Sequence, residues 1–390
     1  MPARVLFVSH TAELNGAERM LLDLLRSLDR RVFRPLLVVP RSGPLRKEAE
    51  ALNIPSVVVP MKWWLSAPGT AWRQPPAWLW NIRSVFRLRR LIRRRGIDLV
   101  CSNSAAAVGG ALAARLAGRP HVWIIHEILS GPRPLLRFFL GNRLFVRVIR
   151  RLSRRVVVNS LATGAAFRPA PGVDVVHNGI LIPRTKPAPD PALRKKLGLR
   201  VPDRVVGVVG RLAPAKGQAE MVEALALVRG RVKGLKVLFV GPAAGGRFLG
   251  RLRETAVRRD VEGDVRFAGS FADVFSVLPL MSLLVSASRV ESFGRTIVEA
   301  QAAGIPVLAV ATGGVPEIIR HGVNGFLVES NRPEALAGAL VDFFSRKKAE
   351  VARVVGNARK SVAREFRAET QARKMEGIFR SVLEESRRGR

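Results

Sequence analysis

Acidic residues are scarce in this sequence: thirty Asp and Glu face sixty-six Lys and Arg among 390 residues, a formal net charge of +36 and a pI near 11.8. An excess of that size calls for a polyanionic partner, whether nucleic acid, an anionic membrane surface or phosphorylated substrates. Tyrosine is absent, so bases cannot stack on it, and no recognised nucleic-acid motif is present. The one cysteine, Cys101, lies inside the apolar run IDLVCSN. No internal disulfide can form, a reducing compartment is favoured, and the thiol reads as a buried strand residue. No uncharged apolar stretch reaches the length needed to cross a bilayer. The short apolar run in MPARVLFVSH is too brief for the core of a secretory leader, so a cytoplasmic protein is expected.

Hydrophobic residues make up 48% of the chain, enough for more than one core at this length, and two domains of similar size are predicted. Short β-branched runs alternate with helical patterns throughout: RVLFVS, RPLLVVP, IDLVCS, HVWIIH, RRVVVNS and VDVVHNG, then RVVGVVG, KVLFVG, DVRFAG, SLLVSAS and PVLAV. Uninterrupted apolar strands separated by helices are the pattern of parallel sheets covered on both faces. This predicts an α/β fold of two Rossmann-like, doubly wound domains facing a cleft. The Pro-rich interval 182–203 marks the boundary, with a hinge near 182–190. The predicted domains are 1–183 and 184–365, with 366–390 reading as helix.

Three stretches could carry chemistry. In GRLAPAKG, Arg211, Lys216 and Gly217 lie after a strand and before a helix, where exposed amides and two cations attract phosphate. The stretch is neither a P-loop nor a dinucleotide fingerprint, and by itself it also reads as a solvated basic turn. In SRVESFGRTIVEA, Glu291 falls in the loop after LLVSA and the helix starts near 292–295, with Ser292 a plausible N-cap. Glu291 alone could serve only the helix macrodipole. Glu299 lies deeper in an Ala-rich helix, where a carboxylate is costly without a partner, so hydroxyls or a bound ligand are expected beside it. TGGVPEII repeats the strand, glycine loop, helix form, and Gly313 and Gly314 could admit phosphate or sugar or simply make a tight turn. His126 and Glu127 end the strand HVWIIHE; His126 is either cleft-facing or structural. The five histidines show no metal-binding spacing, and no metal or cofactor is expected.

The order GRLAPAKG followed by SRVESFGRTIVEAQAAGIPVLAVATGGVPEIIRHGVNGFLV resembles the retaining glycosyltransferases of the GT-B fold, family 4 (glycosyl transferases group 1). The likeness spans essentially the whole chain and is densest over 205–330. It implies that Glu299 binds the ribose of a nucleotide, Glu291 contacts the transferring sugar, and Arg211 and Lys216 hold the diphosphate. The amides of Phe293, Gly294 and Arg295 would cap that diphosphate, with Ser292 and Thr296 in the same binding segment. His126 matches the family histidine near the anomeric carbon, Gly16 and Ala17 the loop touching the donor from the opposite wall, and VHNGI the segment before the linker. The last helix is implied to return to the first domain. His126, Glu291, Arg211 and Lys216 are the implied catalytic set, working by front-face attack on a nucleoside-diphosphate sugar without a metal. Three departures stand out: Asn15 where a second glycine is frequent, Arg295 where the family is commonly apolar, and Leu181 where Asp is frequent.

The N-terminal half also carries amphipathic material. NIRSVFRLRRLIRRRG (81–96) holds seven arginines among apolar residues, and five of six tryptophans fall in 61–80. In 134–155, Arg143, Arg147, Arg150, Arg151 and Arg154 form one helical stripe. Such stripes suit an anionic membrane surface, although the apolar faces could equally pack on the sheet and leave the arginines in water. The expectation is a lipid-linked or glycan acceptor and a peripheral location on the inner membrane face. The competing reading is a basic binder of nucleic acid or membrane on an inactive GT-B scaffold; the retained Arg211, Lys216, Glu291 and Glu299 speak against it.

Overall fold

A computed structural model describes residues 1–66, 70, 74–131, 134, 136–167, 171–185, 187–243 and 245–388. The chain divides into two compact units, Met1–Leu181 with Arg367–Arg390, and Ile182–Phe366.

The first unit holds a seven-stranded sheet of β1 (Ala3–Ser9), β2 (Phe33–Val39), β3 (Ser56–Val58), β4 (Leu99–Asn103), β5 (His121–Ile125), β6 (Arg155–Val158) and β7 (Val173–Val175), in the order β3-β2-β1-β4-β5-β6-β7. Every pair is parallel. The second holds six parallel strands, β8 (Arg204–Val209), β9 (Leu235–Val240), β10 (Val265–Gly269), β11 (Leu283–Ser286), β12 (Val307–Val310) and β13 (Phe326–Val328), in the order β10-β9-β8-β11-β12-β13. All eleven apolar runs of the sequence lie in strands. The sequence pattern missed β3 and β13, both three-residue edge strands; β3 is also flanked by Pro55 and Pro60, while the equally short edge strand β7 was found because its apolar run continues through Val176.

Both faces of each sheet are covered, which is why the strands read as unbroken apolar runs rather than alternating ones. In β1, Val5 and Phe7 enter one core cluster and Leu6 and Val8 another, as the two-residue strand period requires. The Val5/Phe7 face is closed by the helices Gly16–Ser27 and Ala368–Arg388, with the Phe379 ring 6.1 Å from Phe7 and 5.7 Å from Phe33. The last helix is pinned where its Ala368 amide donates to the Ile180 carbonyl and Gln371 Oε1 accepts the Gly179 amide, both at 2.9 Å. A side chain at Gly179 would strike the Arg367 backbone, so VHNGI needs its glycine for this close approach.

In each sheet the strand order reverses beside the unit's first strand, between β1 and β4 and between β8 and β11. Loops diverge there at the carboxyl ends of the strands, leaving a crevice open to ligands.

Candidate active site

In the second unit, the loop after β8 turns through Gly210 and a 3-10 turn, Pro214–Lys216, into the helix Gln218–Leu227. Gly217 joins them in the left-handed region at φ 72, and a Cβ there would collide with the Ala287 carbonyl at the end of β11. Only glycine lets this loop lie against the next one. Gln218 holds the loop from within: its Nε2 donates to the Arg211 carbonyl at 3.1 Å and its Oε1 accepts the Ala213 amide at 3.3 Å.

The loop after β11 is bound on both sides. The Arg289 amide donates to the Ala215 carbonyl at 2.9 Å, and the Arg289 guanidinium pairs with Glu220 on the preceding helix. From the β12 loop, Thr312 Oγ1 donates to the Arg289 carbonyl at 3.0 Å and the Gly314 amide to the Glu291 carbonyl at 2.9 Å. Three loops from adjacent strands are thereby locked together. Ser292 is not the N-cap predicted for it: Gly294 takes that position in a left-handed conformation, φ 104, and the helix runs Arg295–Ala303. The reason lies next door, since Phe293 is buried with its ring 5.9 Å from Phe366, and the chain needs glycine to turn from that inward residue into the helix.

This scaffold pairs opposite charges. Lys216 Nζ donates to Glu291 Oε2 at 2.6 Å, and Ser288 Oγ donates to the same oxygen at 3.1 Å. One turn into the helix, Arg295 Nε donates to Glu299 Oε1 at 2.6 Å. The buried Glu299 carboxylate, expected to sit beside hydroxyls or a ligand, thus has a partner in its own helix, at the residue that departs from the family pattern. Arg211 is exposed and joins no ion pair among the described residues. Thr296 is half-buried on the first turn. The segment therefore presents three cations and two carboxylates beside a helix N-terminus, chemistry matched to an anion carrying hydroxyl groups.

In the first unit, the corresponding crevice brings together His126, at the end of β5, and the loops after β1 and β4. His126 Nε2 lies 2.8 Å from Asn103 Oδ1, and Asn103 Nδ2 reaches the Ala17 carbonyl at 3.4 Å. Asn103 thereby links two residues that the sequence singled out separately. With Oδ1 accepting, the imidazole carries its proton on Nε2. Burial pushes the His126 pKa down to about 4 despite nearby Glu127, so the ring is neutral at neutral pH. Gly16 opens the first helix, with nothing within 4 Å of where a Cβ would lie.

Ser104, beside this pair, is buried with φ at 91, a rare conformation for a non-glycine residue. Glu127 holds it there, accepting from Ser104 Oγ and, at 3.0 Å, from the Ala105 amide. Glu18 is fully buried 3.4 Å from His10 Nδ1. Burial raises the Glu18 pKa to about 8 and lowers that of His10. Both groups are neutral at pH 7, so this contact is not an ion pair in charge terms.

The family model described as glycosyl transferases group 1 matches residues 189–361, and the one described as glycosyltransferase family 4 matches residues 14–182. A Mycobacterium tuberculosis protein named GDP-mannose-dependent alpha-(1-6)-phosphatidylinositol monomannoside mannosyltransferase is 31% identical over 320 residues, 75% of this chain and 78% of that one. The chain belongs to glycosyltransferase family 4. A D-inositol 3-phosphate glycosyltransferase of Streptomyces scabiei is 31% identical over 304 residues, 72% of this chain and 67% of that one. Among solved structures, Anabaena HepE in complex with UDP and glucose matches at TM-score 0.80 and 27% identity, over 97% of this chain and 99% of that one. A glycosyltransferase from Rickettsia africae shares the fold at TM-score 0.81 and 22% identity, over 98% and 99% of the chains. The architecture of this transferase is of the GT-B type.

Sequence reasoning overlooked Asn103, Ser104, Glu18, Ser288 and Arg289. Asn103, Ser104 and Ser288 had a legible signal, polar residues closing apolar strands at the carboxyl edge of a doubly wound sheet. Glu18 and Arg289 had none, because their partners are set by loop packing.

Proposed function

We propose that this glycosyltransferase moves a sugar from a nucleoside-diphosphate sugar to a lipid-linked or glycan acceptor at the cytoplasmic face of a membrane, with retention of anomeric configuration and no metal requirement. The observation that carries the donor site is the contact of Lys216 with Glu291 across the β8/β11 reversal, with the Arg295–Glu299 pair one turn deeper. Support for the donor class comes from a relative whose name specifies GDP-mannose and from a neighbour in complex with UDP and glucose. In this reading Arg211 and Lys216 neutralise charge growing on the departing diphosphate, an electrostatic role in which one preorganised donor is worth about 3–4 kcal/mol. Two cations supply what a divalent ion would otherwise supply.

Glu291 exchanges its Lys216 contact for a sugar hydroxyl as the diphosphate draws the ammonium away. Glu299 receives the ribose hydroxyls. No carboxylate here is assigned as a covalent nucleophile; the leaving phosphate oxygen takes the acceptor proton on the same face. In the first unit the neutral His126, its one ring proton held by Asn103, contacts the sugar near the anomeric carbon, and Gly16 and Ala17 contact the donor. No described helix is long and apolar enough to cross a membrane, and the arginine-rich surface of the first unit fits peripheral contact.

The test is a panel of nucleotide sugars, scored by thermal stabilisation and by release of nucleoside diphosphate. Glu299→Ala should abolish stabilisation by the preferred donor while the variant keeps its fold by circular dichroism. Wild-type stabilisation in that variant would remove the site from the second unit.

A further inference from the structure

The helix Gln74–Arg94 separates two surfaces that its sequence merges. Its inner row, Val85, Leu88 and Ile92, is buried in the core with Leu6 and Val8 of β1. Packing in that core accounts for this row and not for the outer face. The outer face keeps Leu79 71%, Trp80 45%, Ile82 51% and Phe86 55% exposed. Leu79, Ile82 and Phe86 fall at i, i+3 and i+7, one row on the helix surface, and the exposed Arg83, Arg87 and Arg90 lie beside them.

A second element joins this face. Gln74 Nε2 donates to the Arg137 carbonyl at 2.7 Å, Gln74 Oε1 accepts the Phe139 amide at 2.9 Å, and Trp78 stacks on Phe138 at 5.2 Å. These contacts fix Phe139, 47% exposed, against the start of the same helix, and Leu140, 57% exposed, follows it in the chain. Trp72 and residues 67–69 and 71–73 of the tryptophan-rich stretch lie outside the described residues.

The charge around this patch is one-sided. Residues 51–173 contain twenty Lys and Arg but only two acidic residues, Asp98 and Glu127, so under a third of the chain carries half its net charge. Among the described residues, none of Arg83, Arg87, Arg90, Arg143 and Arg147 joins an ion pair. Soluble proteins seldom expose large apolar side chains in a contiguous group. A polyanion such as nucleic acid would use the arginines and leave the leucine, isoleucine and phenylalanine in water; an anionic bilayer uses both.

The geometry points to an insertion surface. Leu79, Trp80, Ile82 and Phe86, with Phe139 and Leu140, enter the headgroup and acyl boundary of an anionic lipid bilayer, while Arg83, Arg87 and Arg90 bind its phosphates. This rests on the peripheral-membrane reading and deepens it from electrostatic adsorption to penetration. The consequence is binding that salt weakens without abolishing, because screening acts on the arginines and not on the inserted side chains.

The full chain is tested with vesicles of phosphatidylcholine alone and with added phosphatidylglycerol, at low and high salt. Wild type should sediment with the anionic vesicles and retain measurable binding at high salt, and lipids brominated near the headgroup should quench fluorescence that Trp80→Phe removes. The triple variant Leu79→Ser, Ile82→Ser, Phe86→Ser should lose at least tenfold in partitioning at both salts. The triple variant Arg83→Gln, Arg87→Gln, Arg90→Gln should lose binding mainly at low salt. Both should keep the wild-type thermal midpoint and wild-type hydrolysis of a water-soluble donor, which separates this proposal from the donor-site reading. Wild-type partitioning by the serine variant would overturn insertion. So would equal binding to neutral vesicles, or a wild-type dimer in sedimentation velocity that the serine variant dissociates, because a second copy would then cover the patch.

Discussion

Replacing Lys216 by alanine separates what the charge contributes to folding from what it contributes to the reaction. Its ammonium lies 2.6 Å from Glu291, and the two side chains are 34% and 15% exposed. A pair this accessible is screened by solvent and contributes on the order of 1 kcal/mol or less to stability. The thermal midpoint of Lys216→Ala should therefore fall by a few degrees at most. In the proposed reaction the same ammonium acts on the diphosphate as a preorganised donor, whose removal costs about 3–4 kcal/mol, or 10²–10³ in rate. Steady-state assay of donor turnover should show kcat/KM reduced by that factor. Lys216→Arg should recover only part of the loss, since a planar fork does not occupy the position of a compact ammonium. A Lys216→Ala enzyme within threefold of wild type, with its fold intact, would refute the assignment of this cation to the leaving group.

Stability should respond to pH in two opposed windows. Half-buried His10 and buried His121 and His126 have pKa values below 6.5, His121 near 3 and His126 near 4. The unfolded chain binds protons there that the folded chain does not, so stability rises with pH up to about 6.5. Glu18, raised to about 8, holds a proton in the folded state that the unfolded chain has released, so its contribution falls from about pH 4.5 to 8, at roughly 1.4 kcal/mol per pH unit. Thermal midpoints should peak near pH 6.5 and decline toward 8, and Glu18→Gln should flatten the upper limb; an unchanged decline would exclude Glu18 as its source. Gly217→Ala should destabilise by more than the roughly 1–2 kcal/mol of a left-handed alanine, because its Cβ also meets the Ala287 carbonyl. Gly16→Ala, with open space around it, should change stability by less than about 0.5 kcal/mol while raising the KM for donor. Arg295→Leu should release Glu299 from its ion pair, and a shift in donor preference without loss of fold is the expected readout.

Much of the fold was legible because parallel strands buried on both faces announce themselves as unbroken apolar runs. Eleven runs sufficed to give the class, and only the edge strands β3 and β13 went unread. The positions of Arg211, Lys216 and Glu291 in loops after strands, and of Glu299 within a helix, were legible because the sequence sets the register of those elements. Less visible was how those charges are spent. Nothing local distinguishes Ser292 from Gly294 as the cap; the burial of Phe293 against Phe366 does. Likewise, 81–96 shows its arginines and apolar residues plainly, yet Val85 and Phe86 are neighbours of equal promise, and only packing against β1 puts one inside and leaves the other in solvent.

Sequence alone determined the parallel α/β class, the charge excess and the residue types at the ends of β8 and β11, since strand and helix periods and net charge are properties of the chain taken a few residues at a time. Tertiary structure decided the partners: Lys216 with Glu291, seventy-five residues apart, Asn103 with His126, and which apolar row of the Gln74–Arg94 helix is covered. Those depend on where the sheet's strand order reverses and on what closes each face, which are distances in space that no local pattern encodes.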